Sequence, residues 1–151
     1  MAIERSASCT WEGPLAGGSG RLTGVSSGAF DGLPFTLPTR IAPAAELTSP
    51  EELLAAAHAG CYAMAVAAIL TDADVPPGRL DVRCTVAVDQ VDGALRVTRS
   101  ALEVAADVDG VSRDALRAAM DAADAACPYS ALVRDAGGIV ESTIADERRP
   151  R

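Results

Sequence analysis

Apolar residues occupy every second position from Leu80 through Val82, Cys84 and Val86 to Val88, with Asp81, Arg83 and Thr85 between them. That alternation belongs to a strand with one buried face. Asp92-Gly93 turns the chain and Leu95–Val104 returns, which predicts an antiparallel hairpin with Leu80–Val91. Three shorter segments near the N-terminus read as strands. They are Ser6–Gly13, Gly20–Ser26 after the turn Ala16-Gly17-Gly18-Ser19, and Leu33–Leu37 after Phe30-Asp31-Gly32. Arg40 and Ile41 then lead into a loop through Pro43.

A different pattern begins at Ser49-Pro50-Glu51-Glu52. Ser is a preferred N-cap, Pro suits the first helical position, and Glu three residues after the cap completes a capping box. The following run, Leu53 to Leu70, holds 18 residues without a carboxylate or arginine. It predicts a helix to about residue 71, ended by Val75-Pro76-Pro77-Gly78. Its length approaches that of a membrane span. The helix cap, the alanine content, Gly60 and His58 favour a buried central helix instead. Ser112 caps a helix over 113–126 with Leu116 and Met120 on its inner face. Cys127-Pro128-Tyr129-Ser130 starts a shorter helix to about Asp135, Gly137-Gly138 ends it, and Ile139–Ile144 is a last strand. The order βββ-α-ββ-α-α-β is α+β and predicts one domain over residues 1–151, with 146–151 a flexible tail.

Composition narrows the function. Nearly half of the chain, 49%, is apolar, but aromatics are only 3%. A core rich in alanine buries little area per side chain, which leans toward an oligomer. The net charge is −8, and every one of the 13 cations is an arginine. Without a basic stripe, nucleic-acid binding is not expected. Met1–Ser6 has no apolar signal region, so a cytoplasmic protein without membrane attachment is expected. Cysteines stand at 9, 61, 84 and 127, with a single histidine, a spacing that fits no metal site. No cofactor is expected.

Two cysteines invite chemistry. Cys61 lies in the most apolar helix, where a free thiol usually packs as a small hydrophobe. Cys127 precedes Pro128 and so falls at an N-cap, where the helix end favours thiolate over thiol. Cysteine is a poor cap for stability alone. Cys9 and Cys84 read as inert packing thiols, and Met64 and Met120 as core. Tyr62 and Tyr129 either pack in the core or line a substrate channel. His58 shares a helix face with Cys61 and is expected to pack or hydrogen-bond rather than act as a base.

Taken together, Thr48-Ser49-Pro50-Glu51-Glu52-Leu53-Leu54-Ala55-Ala56-Ala57-His58-Ala59-Gly60-Cys61-Tyr62-Ala63-Met64 closely resembles the signature of the OsmC/Ohr family. Cys127-Pro128-Tyr129-Ser130 resembles that family's second cysteine motif, and Trp11-Glu12-Gly13 and Thr39-Arg40 sit where such sequences carry similar groups. Ala57-His58-Ala59 favours the OsmC branch. The resemblance implies an intertwined α+β homodimer with antiparallel sheets and long central helices. It implies a peroxidatic Cys61, a resolving Cys127, and Arg40 and Glu51 as paired charges near Cys61. The implied substrates are organic hydroperoxides, with hydrogen peroxide reduced less well, and the implied reductant is a dithiol such as a lipoylated protein.

Physical chemistry fits those roles. Burial raises a thiol's pKa, an adjacent guanidinium lowers it, and a carboxylate can hold that guanidinium bidentately. Glu51 and Cys61 are ten positions apart on one helix, about 15 Å along its axis and on different faces. Either the helix breaks near Ala55 or Glu51 serves the Cys61 of another subunit; the alanine-rich run favours the second, which gives a homodimer with two composite sites. Two other readings compete. One is a thiol sensor or binding module that oxidises without turnover. The other is a cysteine hydrolase or acyltransferase using Cys61 with His58 and no need of Cys127.

Overall fold

The computed structural model describes residues 2–41 and 47–145, so the tail expected at 146–151 lies outside the described residues. The chain forms two compact units, Met1–Leu53 and Leu54–Arg151.

In the first unit β1 (Ser8–Glu12), β2 (Ser19–Thr23) and β3 (Pro34–Phe35) form an antiparallel sheet in that order. Gly20 pairs with Trp11 on one side and Phe35 on the other. A Cβ there would fall 2.5 Å from Phe35 Cζ and 2.9 Å from Trp11 Cε3, so the packed rings require glycine. Cys9, expected to pack, stands exposed on β1, because all five residues of that strand face solvent. A short helix, α1 (Leu37–Ile41), replaces the end of the third expected strand and the start of the loop. Its cause is local. The Thr36 and Thr39 hydroxyls each accept the other's backbone N–H, at 3.0 and 3.3 Å, a reciprocal cap ahead of a single turn that tolerates Pro38.

The helix α2 (Pro50–Asp72) is continuous for 23 residues. Its start follows the capping signal, with Glu52 N–H donating to Ser49 Oγ at 3.2 Å. Four residues spaced by four, His58, Tyr62, Val66 and Leu70, form its buried stripe. The opposite face, Ala56, Gly60, Met64 and Ala68, is exposed. Met64, expected in the core, is 76% exposed. The helix is long and apolar enough to cross a membrane, yet it is not the uniformly buried helix its composition suggested, since a single stripe packs inward.

In the second unit β4 (Arg79–Val91) and β5 (Ala94–Asp107) make the expected hairpin. Asp92 and Gly93 take φ of 52° and 79°, the left-handed pair a two-residue turn requires. β6 (Ile139–Ile144) joins the other edge of β5 in parallel, the one pair among the described strands that departs from the antiparallel sheets expected. The reason is the connection. α3 (Arg113–Ala126) and α4 (Pro128–Asp135) carry the chain across the sheet before it returns, the long crossover a parallel pair needs. The core joins Tyr62, Val66 and Leu70 of α2 to Leu102 and Val104 of β5 and to Leu116, Met120 and Ala123 of α3.

Candidate active site

The α3–α4 junction sets the position of Cys127. This residue ends α3 and begins α4 with extended backbone, φ −78° and ψ 116°, and Pro128 follows at the first helical position. The thiol is 1% exposed. Its side chain makes no capping hydrogen bond to its own helix. Instead Cys127 Sγ lies 3.4 Å from Cys61 Sγ as a donor. Residues 66 apart in sequence are thereby brought within reach of a covalent bond. Cys61 is half-buried on α2, packed against the same core.

The backbone at Tyr129, in the first turn of α4, favours the Cys61 thiolate. The sequence suggested that the helix end would activate Cys127. Cys127 does hold the N-cap, with the extended backbone usual there, but its thiol makes no hydrogen bond to the helix start. Burial nevertheless pushes the Cys61 thiol above its ordinary range, and the adjacent Cys127, through its hydrogen bond and its charge, pushes the same way. The pair can hold one thiolate bridged by one S–H, while a second charge is disfavoured.

His58 and its partners lie under this pair. The imidazole is fully buried, with Nδ1 2.8 Å from Ser100 Oγ and Nε2 2.9 Å from Ser130 Oγ. Burial lowers its pKa, Asp124 opposes that, and Arg134 adds to it. The ring is therefore neutral, donating from one nitrogen and accepting at the other. Tyr129 stacks beside it at 6.5 Å and 26°. Ser100 Oγ also meets Cys84 Sγ at 3.2 Å, so Cys84 is a half-buried, hydrogen-bonded thiol. Neither serine was singled out from the sequence. Ser100 had a signal, since it is a polar residue in phase with the inward Leu102 and Val104, and Ser130 belongs to the Cys-Pro-Tyr-Ser motif. Tyr62 is core rather than channel, fully buried, with its hydroxyl donating to Met120 O at 2.9 Å.

Arg40 and Glu51 come together in the first unit, Arg40 Nε and a terminal nitrogen each 2.8 Å from Glu51 Oε1. The second carboxylate oxygen of Glu51 is buried without a hydrogen-bond partner among the described residues. No group of three His, Cys, Asp or Glu residues among the described ones could hold a metal ion.

Residues 43–140 match the family model described as OsmC-like protein. Peroxiredoxin OsmC of Escherichia coli strain K12 is 31% identical over 134 residues, 89% of this chain and 92% of that protein. An organic hydroperoxide resistance protein of Xanthomonas axonopodis pv. citri is 30% identical over 88 residues, 58% of this chain and 60% of that protein. Among solved structures, the organic hydroperoxide resistance protein OsmC of Legionella pneumophila superposes with a TM-score of 0.73 at 19% identity, covering 97% of this chain and all of that one. OhrB of Bacillus subtilis gives 0.68 at 24% identity, covering 92% and 96%.

Proposed function

The chain belongs to the OsmC-like protein family, and from that membership we propose that it is a thiol-dependent peroxidase that reduces organic hydroperoxides, and hydrogen peroxide less well. The names of its relatives support a peroxide-related redox role. The observation that carries the finer reading is the 3.4 Å separation of Cys61 and Cys127 sulfurs.

In this mechanism the Cys61 thiolate attacks the distal peroxide oxygen. The O–O bond breaks, Cys61 becomes a sulfenic acid, and the departing alkoxide takes a proton to leave as the alcohol. Cys127 then attacks the Cys61 sulfur, a disulfide forms and water departs. An external dithiol, such as a lipoylated protein, reduces that disulfide by exchange, delivering two electrons and two protons to the two cysteines and leaving as a disulfide itself. Cys61 needs help to ionise, since burial opposes it. The backbone at Tyr129 acts in the helpful direction, and a nearby guanidinium would add to it. We assign that guanidinium to Arg40, oriented by Glu51 and delivered by a second subunit. The continuity of α2 supports delivery in trans, because ten positions of unbroken helix separate Glu51 from Cys61. We read residues 1–151 as one cytoplasmic domain acting as a homodimer.

The hydrolase alternative is weakened by His58. Both ring nitrogens are engaged by serines, which leaves none to take a proton from Cys61. Turnover separates the peroxidase from a sensor. Purified protein given cumene hydroperoxide should consume many equivalents with a dithiol reductant and far fewer with a monothiol. Cys61→Ser should abolish consumption, while Cys9→Ser and Cys84→Ser should retain most of it. Unchanged turnover in a folded Cys61→Ser protein would sink the assignment, and consumption that stops at one equivalent would favour the sensor.

A further inference from the structure

We propose that His58 is a positioning residue, which ties the first turn of α4 to α2 and β5 through Ser130 and Ser100 and so keeps Cys127 within reach of Cys61. This rests on the two-cysteine reading above.

The geometry joins three elements at one ring. His58 sits on α2 three residues before Cys61, and Ser100 sits on the central strand β5. Ser130 sits on α4 three residues after Cys127. At 2.8 and 2.9 Å, with no exposure of any of the three side chains, both bonds are good hydrogen bonds shielded from water. A neutral imidazole can satisfy both at once, because one serine accepts its N–H and the other donates to its bare nitrogen. The helix α4 is only eight residues long. At its far end Arg134 pairs with Asp124 of α3, which anchors the C-terminal turn. At its start Cys127 makes no capping bond, so the His58–Ser130 bond anchors the turn that bears the thiol. Cys127 is the residue whose placement matters most, because the speed of disulfide closure depends on how often its sulfur stands beside Cys61.

The two amide side chains nearest to histidine in shape separate this role from simple packing. A glutamine amide reaches about as far as Nε2 and can keep the bond to Ser130. An asparagine amide reaches about as far as Nδ1 and can keep only the bond to Ser100. His58→Asn, His58→Gln and Ser130→Ala would each be equilibrated in glutathione redox buffers, and the Cys61–Cys127 disulfide quantified by peptide mass mapping. That equilibrium gives the effective concentration of one thiol at the other and needs no peroxide. His58→Asn and Ser130→Ala should lower it about fivefold, the weight of one buried hydrogen bond, while His58→Gln should stay within about twofold of wild type. Under excess cumene hydroperoxide the same two variants should send a correspondingly larger share of Cys61 to sulfinic acid. A residue that only fills space would destabilise both amides alike and leave the equilibrium unmoved. Equal values for His58→Asn and His58→Gln, or a wild-type value in Ser130→Ala, would overturn the proposal. Ser130→Ala removes one oxygen and favours helix, so it keeps the test alive if a histidine variant fails to fold. Wild-type protein that forms the disulfide but consumes no hydroperoxide would overturn the peroxidase reading and leave this one standing.

Discussion

A fully buried imidazole takes up a proton less readily than one in water, and His58 shows the consequence in its lowered pKa. The unfolded chain protonates this histidine near its ordinary value of 6.5, while the folded chain resists until lower pH. Below about 6.5 the unfolded state therefore binds the extra proton, and stability falls with falling pH, by at most about 1.4 kcal/mol per unit from this one group. Urea midpoints measured between pH 7.5 and 5 should decline in wild type and decline less steeply in His58→Gln. At the same scale the sequence offered Cys61 and Cys127 as candidates through the motifs around them, and it expected His58 to pack or hydrogen-bond, as it does. It did not disclose that Ser100 and Ser130, 42 and 72 residues from His58, would take both of its nitrogens. Contacts of that separation are created by the fold and leave no local pattern. Cys9 and Met64 went the other way, because an apolar residue type says nothing of which side of a strand or helix faces the core.

Elements with a cap or a strict period were legible. Ser49 before α2, Ser112 before α3 and Pro128 at the start of α4 fixed those helix starts, and the alternation of Leu80 to Val88 fixed β4. The exceptions are instructive. α1 is a single turn held by two threonines, too short for any period, and the parallel pairing of β6 is set by the crossover rather than by its own residues. The end of α4 was legible as Gly137-Gly138, and the structure supplies the reason. Gly137 takes φ of 86° and donates to Arg134 O, while Gly138 donates to Val133 O at 2.9 Å. Gly137→Ala should cost about 1 kcal/mol from the left-handed backbone alone. Gly138→Ala should cost more, since its Cβ would come within 2.9 Å of both Val133 Cγ1 and Val97 O. Equilibrium denaturation of the two variants checks the order.

For the molecule as a whole, the proposed composite site makes a quantitative claim. Cys61→Ser and Glu51→Ala proteins, each inactive alone, would be unfolded together in equal amounts and refolded. Random pairing makes half of the dimers mixed, and each mixed dimer holds one intact site of two, so about one quarter of wild-type activity should return. No recovery, with mixed dimers confirmed by mass, would place Glu51 in the same subunit as its Cys61. The closeness of Cys61 and Cys127 has a consequence outside catalysis. Once joined, they would close a loop of 66 residues. In the chain-entropy description that strips the unfolded ensemble of freedom worth about 4 kcal/mol. The oxidised protein should then melt on the order of 10 °C above the reduced one. A cell under peroxide attack would thus hold this protein in its most heat-resistant form when oxidant is plentiful and reductant scarce, and a melting curve taken from that cell would read out its recent redox history.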